Sequence, residues 1–165
     1  MQDTHIVRPA READLCQLPS IEAAADRMFQ QVGITLPPGQ MSISELRVAP
    51  AVFVIGDPII GFICLDRLDG MAHLAQIAVL PTHTGKGIGT ALIAAGIDWA
   101  RRNSYPGMVM TTYRDVPWNG PYYERRGYHV LPEAELTPGL AAVRAHEREL
   151  GLDDLGPRVV MRIDF

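Results

Sequence analysis

Hydrophobic positions along the chain follow two different periods. Short apolar runs typical of strands occur at 6–8, 51–55, 59–66, 73–80, 108–113, 128–130 and 158–165. Apolar residues recur every three or four positions within 15–28, 87–102 and 140–150, as in amphipathic helices, and shorter helices are predicted at 42–46 and 119–126. Strands interspersed with helices in this way predict one mixed sheet with helices packed on it.

Turn-forming residues separate these segments. Gly56-Asp57-Pro58 lies between two predicted strands, which we interpret as a hairpin, and Asp69-Gly70 marks the next turn. Asp14 is expected to cap the first long helix, because its carboxylate can accept hydrogen bonds from free backbone N–H groups. Gly127 is expected to end the short helix near residue 119.

Composition restricts the class of protein. The 165 residues correspond to about one domain, and 47% of them are hydrophobic, enough for a sizeable core. A formal net charge of -4 argues against a general nucleic-acid-binding protein. Cys16 and Cys64 are isolated, so neither a zinc site nor a disulfide framework is expected. We see no signal peptide at Met1–His5 and no apolar run long enough to span a membrane, and we therefore expect a cytoplasmic protein.

The segment Thr84-Gly85-Lys86-Gly87-Ile88-Gly89-Thr90 joins an apolar strand to an amphipathic helix. Alternating glycines and a helix N-terminus present backbone N–H groups to one point, which suits a diphosphate. The nucleotide-binding P-loop needs Ser or Thr after its lysine, where this chain has Gly87, and the dinucleotide fingerprint lacks its third glycine. A turn that binds no ligand remains the alternative interpretation of this segment alone.

This segment resembles the coenzyme A signature of the GNAT N-acetyltransferase superfamily, Gln/Arg-x-x-Gly-x-Gly/Ala, with Thr84 at the first position. The block 119–128, Asn-Gly-Pro-Tyr-Tyr-Glu-Arg-Arg-Gly-Tyr, resembles the second conserved block of that family. The resemblance extends over nearly the whole chain and implies a single domain at 1–165, with a mostly antiparallel sheet of six or seven strands. In this scheme 132–157 is a helical insertion before the last strand.

The resemblance also implies a cosubstrate, acetyl-CoA, and no metal. Residues implied to bind it lie on the fourth strand, in the glycine turn and at the start of the second block: Ile77, Ala78, Val79, Thr84, Gly85, Lys86, Gly87, Ile88, Gly89, Thr90 and Asn119. Asn119 is equally well explained as a helix cap. Tyr123 matches the general acid of the family, although Tyr122 and Tyr123 are also compatible with a structural role as half-buried aromatics.

The general base is less clearly marked. Family members often use a glutamate on the fourth strand, but this strand has His73 and Gln76 instead. His73 has a suitable intrinsic pKa and is predicted to share a strand face with Ile77 and Val79, although a purely structural histidine is the alternative. Glu22 and Asp115 are further candidates for the base.

Three residues are expected to contact the acceptor. Glu22 and Asp115 can bind a cationic group, and Trp118 can form a wall of the substrate site or simply pack in the core. The hypothesis is direct transfer of an acetyl group to a primary amine of a small molecule, through a ternary complex. The alternatives are a non-catalytic acyl-CoA-binding regulatory module and a protein N-terminal or lysine acetyltransferase. No nucleic-acid or membrane partner is expected, and the resemblance allows a homodimer because many relatives dimerise.

Overall fold

A single seven-stranded sheet organises the chain in the computed structural model, which describes residues 5–165. Met1–Thr4, where we predict no signal peptide, lie outside the described residues. The strands are β1 (Val7–Pro9), β2 (Ala51–Ile55), β3 (Gly61–Leu68), β4 (Met71–Val79), β5 (Gly107–Tyr113), β6 (His129–Leu131) and β7 (Arg158–Asp164). The helices that flank them are α1 (Leu18–Asp26), α2 (Ile43–Val48), α3 (Ile88–Arg102), α4 (Gly120–Glu124) and α5 (Pro138–Glu149).

The strand order is β1-β2-β3-β4-β5-β7-β6, and every neighbouring pair is antiparallel except β4 and β5. This confirms the predicted mixed, mostly antiparallel sheet. The parallel pair is joined only by Ala72 opposite Met108 and by His73 opposite Val109. Beyond these pairs the two strands run on without pairing to each other, so the sheet opens between them.

Helices cover both faces of the sheet. Leu92 of α3 and Tyr123 of α4 belong to the core on one face, together with Ile63 of β3. Leu18 of α1 packs with α2 on the opposite face, in a second cluster of buried residues. Helix α5 also covers that second face, because its Leu140 packs with Val109 and Val160. The residues next to Val109 and Val160 in their strands belong to the first core, and successive side chains of a strand point to opposite faces. Side chains from both faces therefore surround the opening between β4 and β5.

A β-bulge changes the side-chain alternation in β4. Cys64 of β3 pairs with Gln76, whereas the next residue, Leu65, pairs with Leu74, so Ala75 is an extra residue on β4. One extra residue reverses the faces of all side chains beyond it. His73 therefore shares a face with Gln76, and the prediction that it lies on the face of Ile77 and Val79 is wrong.

Other differences from the sequence predictions are local. Strand β3 begins two residues later than predicted, and α5 begins two residues earlier. Asp14 does not cap α1, because it lies within a 3₁₀ turn, Glu12–Gln17, that precedes this helix; its carboxylate accepts hydrogen bonds from the Arg11 N–H (2.7 Å) and from Arg8 (2.7 and 3.1 Å). The segment 132–157 holds α5 and two 3₁₀ turns. No helix within residues 5–165 has both the length and the hydrophobicity required to cross a bilayer.

Candidate functional site

The opening between β4 and β5 forms a cleft of about 700 Å³ that crosses the sheet. Its walls include Ile88 and Tyr123 from the face that carries α3 and α4. They also include Glu22 of α1 and Arg158 of β7, which lie on the side of α1 and α5. A ligand can therefore enter this cleft from either face of the sheet, and two ligands can meet inside it.

The glycine turn forms the mouth of the cleft on the α3 side. Gly85 and Gly87 have φ angles of +75° and +78°, which glycine adopts without strain. No side chain caps the N-terminus of α3, so its first backbone N–H groups have no partner from a capping residue. A Cβ added at Gly85 or Gly87 would meet no heavy atom within 4 Å. The turn is an open, positively polarised concavity of the kind that binds phosphate.

The polar side chains of this turn contribute less than its backbone. The Thr84 hydroxyl donates to the Pro81 carbonyl oxygen at 3.1 Å, so it is engaged within the turn. Lys86 is exposed and does not line the cleft, whereas Thr84, Gly85, Gly87, Gly89 and Thr90 do. The site is therefore built on main-chain donors rather than on a lysine charge.

Tyr123 is a buried residue whose side chain lines the cleft. It is 5% exposed and packs edge-to-face against Tyr122 and Tyr128, with ring centroids 5.3 and 5.5 Å away. Burial raises the pKa of its phenol, and Tyr128 and Tyr122 raise it further. Its hydroxyl makes no hydrogen bond with another residue of the described chain. Tyr123 thus keeps its proton at neutral pH and has it free to donate.

Tyr122 lies beside the glycine turn rather than in the core. Its hydroxyl is 2.9 Å from the Thr90 hydroxyl, and the Arg126 guanidinium lies 3.5 Å from the centre of its ring. Arg126 also donates to the Thr90 hydroxyl at 2.9 Å. This arrangement places a cation at the end of the cleft where the α3 N–H groups converge.

Asn119 does not act as a helix cap. Its side chain makes no capping hydrogen bond to α4; its Oδ1 instead accepts from the Tyr113 N–H at 3.3 Å. This contact links the start of α4 to the end of β5. The side chain of Asn119 also lines the cleft, and its contact with the coenzyme stays a prediction.

Glu22 is a carboxylate enclosed on the opposite side of the cleft. It is 3% exposed, and its Oε1 accepts from the Met41 N–H at 3.1 Å. Burial raises the pKa of the carboxyl to about 7; the bond from Met41 opposes the rise, and repulsion from Asp26 adds to it. At neutral pH this group is present in both protonation states, which suits a proton acceptor.

A model of the acetyltransferase (GNAT) family matches residues 20–128, which include β4, the glycine turn and Tyr123. The chain belongs to this family. The predicted membership is thereby confirmed, and the matched region ends at the last residue of the second conserved block, Tyr128.

Solved structures share the fold of this acetyltransferase at low sequence identity. N-acetylglutamate synthase from Neisseria gonorrhoeae, solved with coenzyme A and N-acetyl-glutamate, has a TM-score of 0.70 and 21% identity; the match covers 99% of this chain but 36% of that one. PaiA N-acetyltransferase from Thermoplasma acidophilum, solved with coenzyme A, has a TM-score of 0.69 and 15% identity; the match covers 98% of this chain and 99% of that one. The ribosomal-protein-S18-alanine N-acetyltransferase of Escherichia coli has a TM-score of 0.68 and 15% identity; the match covers 98% of this chain and 94% of that one. Two of these names specify different acetylated groups, glutamate and an alanine of a ribosomal protein, so the shared fold alone does not identify the acceptor of this chain.

Three of the residues expected to act in the site lie outside the cleft: Lys86, as described above, His73 and Asp115. His73 pairs with Val109, where β4 and β5 are still joined, so it lies before the opening and does not line the cleft; burial lowers its pKa, and the nearby Asp66 and Glu147 oppose this change. Asp115 is exposed, forms an ion pair with Arg114 (2.9 Å) and lines a separate pocket of about 220 Å³. The structure thus favours Glu22 over His73 and Asp115 as the base of this acetyltransferase.

The remaining predicted residues are brought together. Those that line the cleft are Glu22, Ile77, Ala78, Val79, Thr84, Gly85, Gly87, Ile88, Gly89, Thr90, Trp118, Asn119 and Tyr123. Sequence reasoning missed Asp26, Arg126 and Arg158, which also line it. The position of Asp26 four residues after Glu22, on the same helix face, was an available signal. No comparable signal marked Arg158, which reaches the cleft only because β7 pairs with β5. Within residues 5–165, no group of three or more His, Cys, Asp or Glu side chains is arranged to hold a metal ion.

Proposed function

We propose that the protein transfers the acetyl group of acetyl-CoA directly to a primary amine of a small molecule, with both substrates bound at once. The observation that carries this proposal is the cleft through the sheet. It joins the uncapped N-terminus of α3 on one face to the buried Glu22 carboxyl on the other, with Tyr123 in its wall. The thioester carrier and the amine therefore have separate entrances to one reaction space.

The coenzyme fits the α3 side of the cleft. Its diphosphate would lie against the backbone N–H groups of residues 85–90, where the open space at Gly85 and Gly87 allows close approach. Its pantetheine arm would run along Ile77–Val79, because this part of β4 pairs with β3 and has no pairing to β5. Arg126 adds a positive charge near the phosphates.

Glu22 is proposed as the general base. Its pKa of about 7 makes it ionised in part of the molecules at neutral pH, and it lines the cleft on the acceptor side. The Glu22 carboxylate first takes one proton from the bound ammonium group, which frees the lone pair of the nitrogen. The neutral amine then bonds to the acetyl carbon, the carbon–sulfur bond breaks, and the second proton of the nitrogen is lost to solvent. General-base assistance of this kind is worth about 10²–10⁴-fold in rate.

Tyr123 is proposed to supply the proton that the departing sulfur takes up. The phenol is protonated throughout the neutral range, it lines the cleft, and its hydroxyl has no competing hydrogen bond within the described chain. The phenolate is reprotonated as Glu22 returns its proton to solvent. The net result is an N-acetylated amine and free coenzyme A.

The test measures turnover and binding separately. Purified protein with acetyl-CoA is offered a panel of primary amines, and thiol release and the acetylated product are quantified. Calorimetry with coenzyme A gives the binding constant. Turnover of free amines supports the proposal. Turnover confined to peptides with a free N-terminus or a lysine would replace it with protein acetylation, and binding without any turnover would indicate a regulatory module.

A further inference from the structure

The acceptor side of the cleft combines carboxylates with an apolar wall. Glu22, Asp26 and Phe29 are spaced by four and three residues, so they lie on one face of α1 and the 3₁₀ turn that extends it. Phe29 in turn contacts Tyr113 and Trp118, with ring centroids 5.9 and 5.5 Å away. All five side chains line the cleft. A charged end and an aromatic end are therefore adjacent in this part of the site.

The carboxylates are not neutralised within this wall. Glu22 is held by a single backbone N–H, that of Met41, and by the neutral Gln76 side chain. Asp26 is half-buried, and its nearest polar partner is the neutral Gln40 side chain. Two carboxyls that share a desolvated region favour a cation between them, because a cation compensates for their lost hydration.

The one arginine that lines this side of the cleft is already paired. Arg158 donates from Nε and Nη2 to the Glu147 carboxylate at 3.3 and 3.0 Å, and its guanidinium lies 4.4 Å from the centre of the Tyr113 ring. Glu147 also binds Arg144 at 2.7 Å, and Arg144 binds Asp153 at 2.6 Å. The positive charges of Arg144 and Arg158 are therefore balanced by the negative charges of the Glu147 and Asp153 carboxylates. A carboxylate on the acceptor would therefore meet no uncompensated cation here.

Among residues 5–165, the other basic side chains that line the cleft lie at its coenzyme end. Arg126 is engaged with Thr90 and the Tyr122 ring, and His83 lies in the 3₁₀ turn that precedes the glycine turn. Neither belongs to the wall that contains Phe29. The acceptor side thus has a net negative charge from its carboxyl groups and an apolar surface from its aromatic side chains.

From this arrangement we propose that the acceptor is a primary amine with a single positive charge, an apolar body the size of an aromatic ring and no carboxylate. The inference rests on the proposed function, because it assigns the acceptor of that same site. The amine would bind between Glu22 and Asp26. The apolar body would lie against Phe29 and Trp118.

The experiment compares four amines that differ in one feature each, at fixed acetyl-CoA. The reference is 2-phenylethylamine. Phenylalanine adds a carboxylate, ethylamine lacks the ring, and putrescine replaces the ring with a second cation. We expect kcat/KM for 2-phenylethylamine to exceed that of each of the others by about 100-fold, since a missing apolar group or an unpaired buried charge typically costs one to several orders of magnitude.

Three variants test the assignment of the walls. Asp26→Asn should raise KM for 2-phenylethylamine about 10-fold and reduce its advantage over phenylalanine, without a change in coenzyme A affinity. Trp118→Ala should remove most of the advantage over ethylamine. Phe29→Leu provides a second, smaller change to the same wall, in case Trp118→Ala does not fold.

The outcomes separate the two proposals. Phenylalanine or putrescine turned over as well as 2-phenylethylamine would overturn the assigned acceptor class and leave the acetyltransferase proposal intact. Equal rates for ethylamine and 2-phenylethylamine would do the same. Coenzyme A binding with no acetylation of any amine would instead contradict the proposed function itself.

Discussion

Replacing Glu22 with glutamine tests whether burial of a charge sets the chemistry of the site. An unfolded chain loses this proton near the ordinary pKa of 4.5, whereas the folded protein retains it until about pH 7. Between these values the folded state binds more protons, so its stability falls as pH rises. The full loss is present above about pH 7 and amounts to about 3 kcal/mol, since one pKa unit corresponds to about 1.4 kcal/mol.

Glu22→Gln removes the ionisation and keeps the oxygen that accepts from the Met41 N–H. We expect the variant to be more stable than the wild type by about 3 kcal/mol at pH 8, with the gain shrinking to near zero at about pH 4.5. Urea unfolding at a series of pH values measures this difference. Asp98→Asn is the control, because Asp98 is 64% exposed on α3 and its removal should give no such pH dependence.

The same variant should lose activity as it gains stability. We expect kcat/KM to fall about 10²–10⁴-fold and the acidic limb near pH 7 to disappear from its pH profile, because that limb reports protonation of the base. A stability gain that is equal at every pH, or a loss at pH 8, would refute the argument from burial. Wild-type activity in the variant would remove Glu22 as the base even if the stability result held.

Three further substitutions address the other parts of the site. Gly89→Ala should leave stability unchanged or raise it by up to about 1 kcal/mol, because the residue is helical and the nearest atom to an added Cβ is the Tyr122 hydroxyl at 3.8 Å. The same variant should bind coenzyme A about 10-fold more weakly in calorimetry, and an unchanged affinity would place the diphosphate elsewhere. Tyr123→Phe should lower kcat about 100-fold and leave both coenzyme affinity and melting temperature nearly unchanged, because its hydroxyl has no partner to lose, and an unaltered kcat would remove it as the acid. His73→Gln should retain turnover within about two-fold, since its side chain lies outside the cleft, and a loss comparable to that of Glu22→Gln would restore it as a base candidate.

Local patterns in the sequence were sufficient to predict the conformation of the segments proposed to bind the coenzyme. The glycine turn and the block that contains Tyr123 are short continuous segments, so the order of their residues largely determines their backbone conformation. Gly85 and Gly87 adopt positive φ angles, which glycine alone takes up without strain. The acceptor side is different, because its walls come from α1, β5, β7 and the loops between them.

Two features of the acceptor side were decided by tertiary structure. The bulge at Ala75 arises from the pairing of β4 with β3, and nothing in the local run of apolar residues marks it, although it decides on which face of the sheet His73 lies. The pKa of Glu22 depends on burial by segments distant in sequence, including Met41. Periodicity reports which residues share a face of one element, whereas solvent exclusion and strand register depend on contacts between elements. The sequence alone therefore determined the family, the order of elements and the position of the glycine turn, and only the folded chain determined that the Glu22 carboxyl is buried beside the cleft.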